Sequence, residues 1–225
     1  MKISVSQPYV GENEIAYLNE ALHSGAISGV FGKYIGQFEE EFAEFCGVDY
    51  AISCSSGTAA LHLALVSAGI KEGDEVLVSS LTNMATFFAV LYTGARPIPV
   101  DVSLKTLTID PDDLNRKITK KSKAILLVHL FGHPADMDPV NELARKHNLE
   151  VFEDCAEAHG ATYKGARVGG LGLAGCFSFF ANKIVSTGEG GMVTTNNPKL
   201  ADRARNLRSL GFGDSNKFMH KDIGF

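Results

Sequence analysis

Ala51-Ile52-Ser53-Cys54-Ser55-Ser56-Gly57-Thr58-Ala59-Ala60-Leu61-His62 reads as a short apolar strand, Ala51 to Cys54, that runs through serines and a glycine into a helix over Thr58 to Ala68. The same order returns along the chain. Glu75 to Val78 precedes a helix over Ala85 to Tyr92, and Lys123 to Leu130 precedes one over Pro139 to His147; strands over Leu149 to Glu153 and Cys176 to Phe180 follow. Apolar, β-branched-rich strands alternating with amphipathic helices predict an α/β domain with a mainly parallel sheet flanked by helices on both faces. In such a sheet a ligand sits beyond the carboxyl ends of the strands, so polar residues at those ends are the first candidates for function.

Working outward, Glu12 to His23 and Tyr34 to Phe45 carry apolar residues at helical spacing: Ile15, Leu18 and Leu22, then Ile35, Phe38, Phe42 and Phe45. The glycine-bearing loop Ser24 to Gly32 between them suits close approach to a ligand. Its Gly32-Lys33 pair is no P-loop, because Tyr34 stands where Ser or Thr is needed and no glycine lies five residues earlier. A chain of 225 residues, 45% hydrophobic, can bury a sizeable core. Its net charge of −5, with no basic run beyond Lys117 to Lys123, leaves no footprint for nucleic acid or an anionic membrane; that cluster reads as a solvated helix end. No apolar run approaches the ~20 residues that span a bilayer, and Met1 to Ser4 opens no signal-peptide core. Cys46, Cys54, Cys155 and Cys176 lack metal-type or CxxC spacing and read as reduced thiols, so the expected location is the cytoplasm.

Three polar groups fall at strand ends. Ser55-Ser56-Gly57-Thr58 offers a glycine, a hydroxyl and the unpaired N–H groups of a helix N-terminus, a good phosphate cup; simple N-capping is the alternative. Asp154 stands where the run Leu149 to Glu153 ends, and Glu157 three residues later can address the same ligand, with a helix N-cap again the plainer reading. Lys183 follows the run Cys176 to Phe180, five residues after Ser178, in a turn closed by Gly188, Gly190 and Gly191. There its stem is packed and its ammonium partly desolvated, which makes the amine a nucleophile for a carbonyl; the plainer reading is a surface lysine. A phosphate cup, a strand-end acid and a strand-end lysine are together what pyridoxal 5′-phosphate requires.

Two patterns mislead. Gly170-Leu171-Gly172-Leu173-Ala174-Gly175 satisfies G-x-G-x-x-G but precedes a strand, and so reads as a turn. His129 and His133 are four apart, yet Gly132 and Pro134 make a metal-binding helix implausible, and a loop after a strand fits better.

Ser55 to His62, His129 to Asp138, Glu153 to Ala158, and Phe177 to Lys183 with Gly188 to Gly191 resemble the motifs of the DegT/StrS-type nucleotide-sugar aminotransferases over nearly the whole chain. The resemblance implies the large domain of a type I pyridoxal-phosphate transferase, aspartate aminotransferase-like. It implies Lys183 as Schiff-base lysine and proton shuttle, and Asp154 as partner of the pyridinium nitrogen. Glu157 would lie near the cofactor's phenolic oxygen, a position often glutamine in the family. Gly57, Thr58 and Ser178 would hold the phosphate. Asn83 departs from the pattern: the family usually stacks an aromatic ring there, so either the amide packs on the cofactor or Phe87 or Phe88 covers that face.

The implied reaction aminates the 4-keto group of a nucleotide-linked 4-keto-6-deoxyhexose, GDP-4-keto-6-deoxymannose in the nearest subgroup, with glutamate as donor, for cell-surface polysaccharide. A homodimer is implied. A sugar dehydratase of the same family would carry histidine in place of Lys183; a truncated, non-catalytic member is the other alternative. Family members continue past Phe225, so residues 1–225 are expected to hold most of the cofactor-binding domain, with N-terminal helices in 1–49, and to lack the small C-terminal domain.

Overall fold

The computed structural model describes residues 6–25, 27–28, 32–211, 220 and 222–225. Met1 to Ser4 and four residues of the Ser24 to Gly32 loop, Ala26 and Gly29 to Phe31, lie outside them.

Two helices come first, α1 (Glu12–Ser24) and α2 (Tyr34–Cys46), each followed by a glycine at φ 71°. The units are then β1 (Tyr50–Cys54) and α3 (Gly57–Ser67), β2 (Glu75–Ser79) and α4 (Met84–Tyr92), β3 (Arg96–Val100) and α5 (Pro111–Lys117), and β4 (Ser122–Val128) and α6 (Met137–His147). They lead into β5 (Glu150–Asp154), the two-residue strands β6 (Thr162–Tyr163) and β7 (Ala166–Arg167), β8 (Ala174–Ser178), β9 (Gly191–Thr195) and α7 (Pro198–Arg208). The large sheet has the order β1-β9-β8-β5-β4-β2-β3. Pairs β3 to β2, β2 to β4, β4 to β5 and β5 to β8 are parallel, and only β9 runs against its neighbours β8 and β1. The expected α/β class with a mainly parallel sheet is what the chain adopts.

Period-two alternation divides the strands between two cores. Val76, Val78, Ala124, Leu126 and Phe152 face α3, α4 and α7. Leu77, Ile125, Leu127 and Val151 face the other way, onto Leu114 of α5 and Met137, Val140 and Ala144 of α6. A third cluster sets Phe42, Ala43 and Cys46 of α2 on Phe177, Phe179 and Met192, with Phe42 edge-on to Phe177 and Phe179. Because both faces are covered, inner strands carry unbroken apolar runs such as Val76 to Val78 and Ala124 to Val128.

Several elements depart from expectation. Strand β3 is Arg-Pro-Ile-Pro-Val, a composition that reads against a strand, but it lies at the sheet edge, where two missing N–H groups cost no ladder bonds. Helix α5 starts with Asp110 capping the N–H groups of Asp112 and Asp113 and with Pro111 in the first turn, and its last residue is Lys117 of the basic cluster. The strand expected over Cys176 to Phe180 is β8, shifted two residues toward the N-terminus, so Lys183 lies five residues beyond the strand end rather than three. Turns, not a helix, follow β5, so neither Asp154 nor Glu157 is a helix N-cap. Cys46, Cys155 and Cys176 are buried and Cys54 half-buried, all free thiols; burial pushes Cys46 and Cys54 up to about 12. Among the described residues no helix is long and apolar enough to cross a membrane.

Candidate active site

The carboxyl ends of β1, β5 and β8 and the N-termini of α3 and α4 converge. Between β1 and α3, Ser56 caps the helix: its Oγ accepts the Ala59 N–H at 3.1 Å and its carbonyl accepts the Ala60 N–H at 2.9 Å. The N–H groups of Gly57 and Thr58 are left in the first turn without intrahelical acceptors, the donor arrangement that receives an anion. Ser178, the last residue of β8, lies against this turn. A Cβ at Gly57 would stand 2.6 Å from Ser178 Cβ and 3.2 Å from its Cα, so only glycine lets the two segments approach this closely. Gly57, Thr58 and Ser178, expected from the sequence to hold a phosphate, are thus brought together from positions far apart in sequence.

Asp154 ends β5 and is 5% exposed. Its Oδ1 accepts the Ala156 N–H at 3.1 Å and its Oδ2 the Thr86 hydroxyl at 2.9 Å. Burial raises its pKa, against which work these two hydrogen bonds and the charge of Lys183. Lys183 is held by backbone bonds that fold the loop after β8: Lys183 N–H to Phe180 O at 2.9 Å and Thr187 N–H to Phe179 O at 3.0 Å. Its side chain is 20% exposed, and its Nζ lies 3.8 Å from Glu157 Oε1. The other Glu157 oxygen accepts the N–H of Phe131 at 3.1 Å. Phe131 has φ 50°, an uncommon conformation for a bulky residue, and its ring is 80% exposed. Lys183, Glu157 and Asp154 are thus brought together as the sequence suggested.

Asn83 behaves differently. It is exposed, and its side chain caps α4 by accepting the Ala85 N–H at 2.9 Å. Phe87 packs on the core, and the exposed Phe88 stacks on Tyr92.

Sequence reasoning gave no role to five neighbours of these residues. Thr86 and Thr82 form a hydroxyl pair, 2.7 Å apart, behind Asp154. Glu153 and His129 form a fully buried pair beneath it, at 2.9 Å. Glu153 also accepts the N–H groups of Gly169 at 2.9 Å and of Leu171 and Gly172 at 2.8 Å, so the first part of the G-x-G-x-x-G stretch, Gly170 to Leu173, is a bend beside the chain's own carboxylate, and Ala174 and Gly175 already belong to β8. His129 Nδ1 accepts the Ala135 N–H at 3.0 Å, which places the ring hydrogen on Nε2, toward Glu153. His159, near Lys183 and set against Phe177 and Phe179, is pushed down to about 4 by burial and stays neutral at pH 7.

Residues 8–225 match the family model described as the DegT/DnrJ/EryC1/StrS aminotransferase family. The chain belongs to this family. It is 49% identical over 224 residues to the GDP-perosamine synthase of Caulobacter vibrioides, covering 100% of this chain and 60% of that protein. Among solved structures, the aminotransferase from Psychrobacter cryohalolentis superposes with a TM-score of 0.94 at 40% identity, over 97% of this chain and 58% of that one. DesV of S. venezuelae, solved in complex with a ketimine intermediate, gives a TM-score of 0.86 at 41% identity over 98% of this chain and 61% of that one. The chain therefore spans about 60% of the length of these family members.

Proposed function

We propose that this chain carries the cofactor-binding domain of a pyridoxal 5′-phosphate-dependent aminotransferase that converts GDP-4-keto-6-deoxymannose to its 4-amino sugar, with glutamate as amino donor. The observation that carries the reading is the meeting of the Gly57–Ser178 cradle, the buried Asp154 and Lys183 at one end of the sheet. The donor set fits the cofactor: two free N–H groups and hydroxyls for a dianionic phosphate, an ionisable acid for a ring nitrogen, and an amine for a carbonyl. Likeness to the Caulobacter GDP-perosamine synthase supports the choice of sugar nucleotide.

When bound, pyridoxal phosphate supplies a carbonyl carbon and a protonated ring that draws electrons from the substrate's Cα. Gly57, Thr58 and Ser178 hold its phosphate, and Asp154 accepts the ring N–H in a charge-assisted hydrogen bond. Lys183 Nζ would hold the cofactor's carbonyl carbon and would carry a proton at the substrate's Cα. Glu157, its backbone donor from Phe131 in place, lies beside the amine and would be set near the cofactor's phenolic oxygen. The net exchange would be glutamate and keto sugar to 2-oxoglutarate and amino sugar, the amino group of one replacing the keto oxygen of the other. Residues 1–225 make up most of the large domain, and a second copy completes the site of a homodimer.

The test is borohydride reduction of the full-length, cofactor-loaded protein followed by peptide mapping. The label is expected on Lys183; a label on Lys164 or Lys199, or none, overturns the assignment. Glutamate-dependent amination of GDP- against dTDP-linked 4-keto-6-deoxyhexoses then decides the nucleotide.

A further inference from the structure

We propose that Thr86, oriented by Thr82, is a positioning residue that keeps the Asp154 carboxylate ionised and fixed so that its remaining lone pairs are free to hold a ring N–H. The proposal rests on the reading of Asp154 given above. Thr86 is fully buried in the first turn of α4, while Asp154 is 68 positions away at the end of β5. A helical threonine ordinarily returns its hydroxyl to a carbonyl of its own preceding turn. Here it goes to a carboxylate.

The direction of the relay follows from what each atom can do. An ionised carboxylate only accepts, so Thr86 spends its single hydroxyl hydrogen on Asp154 Oδ2 at 2.9 Å. The contact of 2.7 Å between the two threonine oxygens then requires Thr82 to donate to Thr86. The relay runs Thr82 to Thr86 to Asp154, and the Ala156 N–H serves Oδ1. Each carboxylate oxygen thus has one protein donor and keeps accepting capacity. The charged or titratable groups that also face Asp154 are Lys183 after β8, His129 at the end of β4, and the thiols of Cys155 and Cys176. Against a burial that favours the neutral acid, the Thr86 hydroxyl is one of two hydrogen bonds that favour the anion. Removing it raises the Asp154 pKa, so a higher pH is needed to ionise the acid.

The test uses the full-length protein as Thr86→Val, which keeps the shape and loses the hydroxyl, Thr86→Ser, which restores it, and Thr82→Val, which removes only the outer donor. In the cofactor-free protein, carbon-13 NMR of the Asp154 carboxyl is expected to titrate at higher pH in Thr86→Val, to return toward wild type in Thr86→Ser, and to fall between in Thr82→Val. In the loaded enzyme, the acid limb of the kcat profile moves to higher pH in Thr86→Val. At neutral pH kcat falls about ten-fold or more, the size expected from losing a hydrogen bond to a charged group, with KM for the nucleotide sugar unchanged. An unmoved carboxyl titration, or a Thr86→Ser variant as impaired as Thr86→Val, overturns the proposal. Wild-type turnover by Asp154→Asn overturns the reading of Asp154 beneath it, a failure the cofactor-free titration tells apart.

Discussion

Replacing Glu153 by glutamine should cost this protein a large part of its stability, although the side chain hardly changes size. The carboxylate is fully buried and accepts four hydrogen bonds, from His129 and Gly169 on Oε2 and from Leu171 and Gly172 on Oε1. A carboxamide keeps one acceptor oxygen and puts an NH2 in place of the other, so two N–H donors must face a third whichever way the amide turns. His129 cannot relieve this by moving its hydrogen to Nδ1, because Nδ1 already accepts the Ala135 N–H. Each orphaned buried donor costs about 1–3 kcal/mol, giving roughly 4 kcal/mol for two against a total of about 5–15 kcal/mol for a domain. At about 2–4 °C per kcal/mol for a domain of this size, the melting temperature should fall by about 10 °C. The assay is thermal and urea unfolding of the full-length, cofactor-free protein beside Glu150→Gln, an exposed glutamate at the far end of β5. Hydrogen exchange at the Gly169, Leu171 and Gly172 amides should accelerate selectively. Stability within about 0.5 kcal/mol of wild type, with those amides still protected, would refute the claim that Glu153 organises this turn.

Gly57→Ala should retain the fold and weaken pyridoxal phosphate binding by about ten-fold or more, because its new Cβ would force the α3 turn away from Ser178; equilibrium dialysis giving an unchanged Kd counts against the cradle. Asn83→Tyr exchanges a helix cap worth about 1 kcal/mol for an aromatic face worth about 0.5–1.5 kcal/mol on the cofactor. It should tighten the cofactor Kd by up to about ten-fold while lowering the melting temperature of the cofactor-free protein, and weaker binding would place Asn83 away from the ring.

The inner strands that sequence reading found, β2, β4, β5 and β8, share one physical property, burial on both faces. Val76 to Val78 and Ala124 to Val128 are unbroken apolar runs because helices cover them above and below. Of those it missed, two lack that mark and one, β9, is buried but carries no apolar run. Strand β3 has only one neighbour and so tolerates Pro97 and Pro99, and α5 is seven residues long with Leu114 its one buried apolar residue. Strand β9 reverses direction, and nothing local in Gly191 to Thr195 encodes that. Gly57, Asp154 and Lys183 were legible because each stands where an apolar run gives way to polar residues. Thr86 was not: it is the one hydroxyl-bearing residue inside the otherwise apolar first turns of α4, and its acceptor is set by the packing of α4 beside β5.

The adjacent pair Glu153 and Asp154 was more legible than it was taken to be. Successive side chains of a strand point to opposite faces, so two neighbouring acids at a strand end cannot serve one ligand from the same side. Phe152 faces the α3 and α4 side, and Asp154, two residues on, reaches Thr86 of α4. Val151 faces the other side, and Glu153, two residues on, reaches the Gly169 to Gly172 turn. A Cβ at Gly172 would stand 2.5 Å from Val151 O, so that glycine is required by the turn's close approach to β5. Glycine-rich backbone that elsewhere closes on a phosphate here closes on a carboxylate of the same chain, by the same means of converging N–H groups. The pattern announces an anion held by backbone, and strand alternation decides which of the two acids it is. The consequence is a division of effects: Glu153→Gln should lower stability, whereas Asp154→Asn should leave stability in place and remove turnover.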